Sequence, residues 1–148
     1  MQISVSEIFM DHILKTIEDT PEHIEKENYT ISSLNKEVLY GDTRGWILGH
    51  FYPPNSRFKR DDIEIAVKVL EEDFMEEPHY HICPFELVLI LDGIVEYKID
   101  KDIHTLKPGM FYIMEPYTVA CVTKVHKKAV ALCVRLPSLP NSKIVVNK

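Results

Sequence analysis

From about residue 37 onward the apolar residues fall into short runs separated by turn-forming residues. Ile63, Ile65, Val67 and Val69 alternate with Glu64, Ala66 and Lys68, a period of two that predicts a strand with one apolar face. Residues 46–52 form another run, opened by the punctuation Gly41-Asp42-Thr43-Arg44-Gly45. Residues 86–91 predict a strand that ends at Asp92-Gly93, a hairpin signal, with 94–99 as the returning strand. Asp100-Lys101-Asp102 and Pro108-Gly109 bound a strand at 103–106, and 111–114, 118–125 and 129–136 complete the set, with His126-Lys127-Lys128 as a candidate hairpin tip. Eight or more short strands at near-regular spacing predict an all-β sandwich or barrel.

The first part of the chain reads differently. Ser4 and Glu7 make a capping box, and Phe9, Ile13 and Ile17 recur at helical spacing. Asp19-Thr20-Pro21 breaks that helix, and a short second helix is expected from Pro21 to about Glu27. The expected organisation is a helical segment over 1–36, a β domain over 37–137 and a polar arm over 138–148. The amphipathic helix and the apolar stripe of Ile63 to Val69 each need a partner surface, which predicts a homodimer.

Composition narrows the function classes. A chain of 148 residues with 45% hydrophobic and 27% charged residues suits one globular domain. The net charge of −6 argues against nucleic acid, which needs clustered Lys and Arg. The longest apolar runs are strand-length, far below the ~20 residues of a membrane helix. No basic n-region precedes an apolar run at the start, so no signal peptide is expected. Three widely spaced cysteines, Cys83, Cys121 and Cys133, fit free thiols in a reducing cytoplasm better than a disulfide framework.

The chemistry concentrates in Pro78-His79-Tyr80-His81-Ile82-Cys83-Pro84-Phe85-Glu86. On a strand His79 and His81 point to the same face. Pro84 breaks or bulges the chain, and the reset register returns Glu86 to the same interior. Two imidazoles and a carboxylate with open positions form a facial-triad ligand set for a divalent metal such as Fe, Mn, Zn or Ni. The alternative is a pair of strand-edge histidines near a turn, bonded to water or acidic neighbours. Tyr112 and Lys68 are candidate catalytic groups, with Tyr97 and Tyr117 on neighbouring strands. A Tyr hydroxyl in an apolar cavity orients a substrate or donates a proton, or else packs at a rim. If the Ile/Val face of its strand is covered, Lys68 faces the cavity with Glu64; otherwise it faces solvent. Trp46 and Phe51 read as core.

The spacing His79-x-His81, four residues, Glu86, six residues, Gly93 resembles the first motif of the cupin superfamily, and Gly109 falls where the second motif begins. The second motif is degraded: Glu115, Tyr117, Ala120 and Lys124 stand at its proline, glycine, histidine and asparagine positions. The resemblance covers residues 37–137. It implies a double-stranded β-helix, a jelly-roll-like barrel commonly paired into dimers, with a metal on His79, His81 and Glu86. The third histidine does not carry over, because Ala120 has no donor atom. The metal then keeps three protein ligands, or another side chain such as His50 reaches in, or binding is weak or absent.

These readings lead to two main expectations. One is a metal-dependent enzyme of dioxygenase, isomerase or lyase type acting on a small organic molecule in the barrel. The other is a non-catalytic module that binds or senses a small ligand or a metal.

Overall fold

Two long strands organise the sheet. In the computed structural model, which describes residues 23–34 and 42–146, β6 (Phe85–Ile99) and β9 (Ala120–Leu136) run antiparallel along their whole lengths, from Phe85↔Leu136 to Ile99↔Ala120. The free edge of β6 pairs first with β8 (Phe111–Met114) and then with β7 (Asp102–Leu106). The other edge of β9 pairs with β4 (Glu64–Leu70) over Ala129 to Arg135, and with β5 (His79–His81) at Ala120. Beyond β4 lies β3 (Trp46–Leu48), and beyond β5 lies β10 (Lys143–Val145). The result is an all-β, curled, open barrel of the double-stranded β-helix type, as the strand pattern predicts.

Several local expectations are corrected. Asp92-Gly93 does not close a hairpin. It sits inside β6, where the register against β9 shifts on both sides of Asp92. Gly93 takes φ 85°, and the Asp92 carboxylate accepts its own neighbour's N–H at 2.9 Å. An Asp-Gly pair supplies the left-handed backbone of a bulge as readily as that of a turn. His126-Lys127-Lys128 likewise lies within the continuous β9 rather than at a hairpin tip, and Cys121 and Cys133 on that strand pair with Lys98 and Val88 of β6. The turns at Asp100 and Gly109 stand, with φ 52° and 88°.

The helix expected before Asp19 lies outside the described residues. The second expected helix, 21–27, is not formed where it is described: Ile24–Glu25 (β1) pairs with Thr30–Ile31 (β2), and Lys26 N donates to Tyr29 O at 2.9 Å across the turn. β-branched residues on both arms favour the extended state. The segment expected as a free arm is also built in. Ser138 and Ser142 are buried, and β10 pairs with β5 through Lys143↔His81 and Val145↔His79.

Alternation divides the sheet into two faces. Inward side chains include Val88, Ile90, Val95, Tyr97, Val122 and Ala131, which form the core beneath the cavity. Outward side chains form rows across the strands: Leu48, Ile65, Val134, Leu87 and Ile113 in one, and Val67, Leu132, Leu89 and Phe111 in the next.

Candidate functional site

The inward face encloses a cavity of about 440 Å³. His79, His81 and Glu86 line it together with Tyr112 and Lys68, so all five residues singled out by sequence face one space. The period of two brings both imidazoles inward, with ring centroids 5.1 Å apart and the rings edge-on. Between β5 and β6 the chain turns at 82–84, where Cys83 N donates to Ser142 Oγ at 3.2 Å. That turn resets the phase, and Glu86 comes round to within 3.2 Å of His81 Nε2.

The expected metal site is not formed. Among the described residues no group of three or more His, Cys, Asp or Glu side chains is arranged to hold a metal ion. The physical reason is Arg135. Its Nε donates to Glu86 Oε2 at 2.7 Å, and its terminal nitrogen donates to Glu64 Oε1 at 3.1 Å. A fixed guanidinium therefore neutralises the carboxylate that a divalent ion would need. His79 is tied by Nδ1, which donates to Glu77 O at 2.9 Å, and its Nε2 faces Glu76 at 3.9 Å. Ala120 stands directly opposite His79 in the register and offers no donor. His50 does not reach in: its Nδ1 lies 2.7 Å from Ser138 Oγ and 3.6 Å from Glu64 Oε2. These residues do not fit the divalent cofactor expected from sequence, and the metal-dependent reading is withdrawn with it.

What remains is a polar network around an open space. Ser138 donates to Glu64 at 2.8 Å and so completes the array Ser138, Glu64, Arg135, Glu86. Burial works against the charge on Arg135, but Glu86 and then Glu64 more than offset it, and its pKa stands above the ordinary arginine value. His81 is in the opposite situation. Burial, then the positive charge of Arg135, lowers its pKa to about 3, so the ring is neutral at physiological pH. Both its nitrogens are buried without a hydrogen-bond partner in the protein. Tyr112 lies 3.5 Å from Glu86 Oε1, and burial followed by that carboxylate raises its pKa well above the ordinary value.

Lys68 lines the cavity, whereas Glu64 does not and is held by Arg135 and Ser138. Lys68 contacts the Arg44 carbonyl, and its Nζ lies 4.7 Å from the Trp46 ring centroid. Burial is the main cause that lowers its pKa to about 8. Trp46 is not simple core. It lines the cavity, with the Arg135 guanidinium 5.0 Å from its ring. Arg135, Arg44 and Lys143 were missed by sequence reasoning. Arg135 carried a signal, since it interrupts an otherwise apolar run on the same face as Ala131 and Cys133.

No family model matches the sequence, and no curated protein does. Solved structures do match. An uncharacterized conserved protein with a double-stranded β-helix domain from Klebsiella pneumoniae superposes with a TM-score of 0.53 at 18% identity, over 66% of this chain and 90% of that one. The shared fold is the double-stranded β-helix, the barrel that the cupin-like first motif implies. Oxalate decarboxylase from Bacillus subtilis matches this barrel with a TM-score of 0.52 at 16% identity, over 58% of this chain and 24% of its own length. KdgF from a Halomonas species matches with a TM-score of 0.50 at 14% identity, over 55% of this chain and 74% of that one. Identities this low establish a shared barrel fold and leave the function to the site.

Proposed function

We propose that the barrel binds a small organic anion, a carboxylate-bearing molecule with a flat or apolar remainder. One observation carries this reading: the cavity lining is cationic in an acidic protein. Arg44, Lys68, Arg135 and Lys143 face the space, against only Glu76 and Glu86. Arg135 is matched by Glu64 and Glu86, and Lys143 lies 3.8 Å from Glu76. Lys68 and Arg44 have no carboxylate contact among the described residues, so they are the groups an anion would meet. Trp46 offers a face for an apolar part. His81 offers an unpartnered imidazole that hydrogen-bonds a polar atom of the ligand and relieves its own desolvation. Calorimetry with acetate, pyruvate and benzoate against the corresponding amides tests this. Carboxylates are expected to bind, and more weakly at high salt. Equal affinity for acids and amides would remove the basis of the reading.

We propose further that the protein is a homodimer through its outer sheet face. The support is the pair of apolar rows that cross β3, β4, β9, β6 and β8, in which Phe111 and Ile113 are 60% and 56% exposed. A reducing compartment is consistent with three free cysteines.

A further inference from the structure

We infer that Lys68 acts as a carbonyl-condensing amine, forming an imine with a small 2-oxo acid held in the cavity. This deepens the anion-binding reading and rests on it.

Lys68 projects inward from β4, and its two described contacts are the Arg44 carbonyl and the face of Trp46. Neither is an acid. The nearby carboxylates are engaged elsewhere: Glu64 and Glu86 accept from Arg135, and Glu76 accepts from Val122 N at 3.2 Å. An ammonium that lacks a counter-ion and faces other cations gives up its proton readily, which is one of the two general ways an enzyme activates a lysine nucleophile. Burial is the other, and both act here to bring the group to about 8. The same surroundings provide the second requirement. Arg44 lines the same cavity with no carboxylate contact among the described residues, and its carbonyl touches Lys68, so a carboxylate held by Arg44 brings the rest of a small acid beside the amine.

The step balances without an oxidant or reductant. The Nζ lone pair attacks the carbonyl carbon, and the C=O π electrons move to oxygen. A proton passes from nitrogen to that oxygen and gives a carbinolamine. The hydroxyl then leaves as water with a proton taken from solvent, the nitrogen lone pair closes the C=N bond, and the resulting protonated imine returns a proton to solvent when it becomes neutral.

Incubation of the whole protein with pyruvate and sodium cyanoborohydride at pH 8, followed by peptide mass mapping, tests the inference. The reduced adduct is expected on Lys68 at about tenfold or more above the exposed Lys101 and Lys107, in line with its larger free-amine fraction. Lys68→Met abolishes it. If that variant does not fold, Lys68→Arg keeps the charge and removes the nucleophile. Lactate, which has the carboxylate but no carbonyl, is titrated in parallel. Binding of lactate and pyruvate with label spread evenly over the lysines overturns the imine and leaves the anion site standing. Failure of both acids to bind, with no selective label, overturns both.

Discussion

Arg135 donates to Glu86 Oε2 at 2.7 Å across paired positions of β9 and β6, and at 3.1 Å to Glu64 on the far side. One guanidinium thus holds two carboxylates that are each below 10% exposed. Removing it strands both. Arg135→Met is expected to cost about 3–5 kcal/mol, the range for breaking a buried ion pair from one side. Adding Glu64→Gln and Glu86→Gln to that variant should restore most of the loss, because the uncompensated charges go with it. Urea unfolding of the single and triple variants measures this. A single variant as stable as wild type would show that the array is not coupled.

The same pairing sets the response to metal. With Glu86 neutralised by Arg135 and Ala120 opposite His79, the melting temperature should be unchanged by a chelator. It should also fail to rise on addition of Mn, Fe, Ni or Zn. Ligand binding to the native state raises stability by mass action, so a rise of several degrees at micromolar metal would contradict the arrangement described.

Much of the inward face was legible in the sequence because alternation is local. His79 and His81 share a face whatever surrounds them, and Pro84 marks the phase reset that returns Glu86. Lys68 was legible only conditionally, since its direction depends on which face of β4 is covered. Arg135 was not read, because its meaning comes from Glu64 and Glu86, 71 and 49 residues away in sequence. Asp92-Gly93 misled for a different reason: the dipeptide specifies a backbone conformation, while the partner strand decides whether the chain turns or bulges.

That bulge yields a comparison between two glycines. Both Gly93 and Gly109 have positive φ, 85° and 88°. A Cβ on Gly93 would fall 2.3 Å from Lys128 O and 2.4 Å from Ala129 Cα, both backbone atoms. A Cβ on Gly109 would meet nothing within 4 Å. Gly109→Ala should cost only the left-handed strain of about 1 kcal/mol, whereas Gly93→Ala must also displace β9 and should cost about 3 kcal/mol or more. Equal melting temperatures for the two variants would mean that the β6–β9 contact yields easily.

The outer rows make the assembly testable. Ile113 and Leu87 are directly paired and outward-facing, so a charge at either falls inside the proposed interface. Light scattering at micromolar concentration is expected to give a dimer for the wild type and a monomer for Ile113→Glu, with the cavity's anion affinity retained. A wild-type protein that stays monomeric at about 17 kDa removes the proposal.

The anion site should also titrate, and with a defined sign. Lys68 is faced by Arg44, by Arg135 and Cys133 on β9, and by Lys143 on β10. Burial first, and then these cations, lower its pKa from 10.5 to about 8, with Cys133 acting in the opposite direction. Below pH 8 the ammonium is present in the folded protein, so carboxylate affinity is high and flat. Above it the charge is lost, and the Lys68 share of affinity falls by up to about tenfold per unit. Stability moves the other way. Between about 8 and 10.5 the unfolded chain binds this proton and the folded one does not, so the ligand-free protein gains stability from this group as pH rises. Imine trapping increases toward pH 8, because only the free amine attacks. In Lys68→Met all three dependences should flatten, and the difference between variant and wild type isolates this group from the tyrosines and cysteines that titrate nearby. An affinity profile that is identical in the two proteins would place the anion somewhere other than against Lys68.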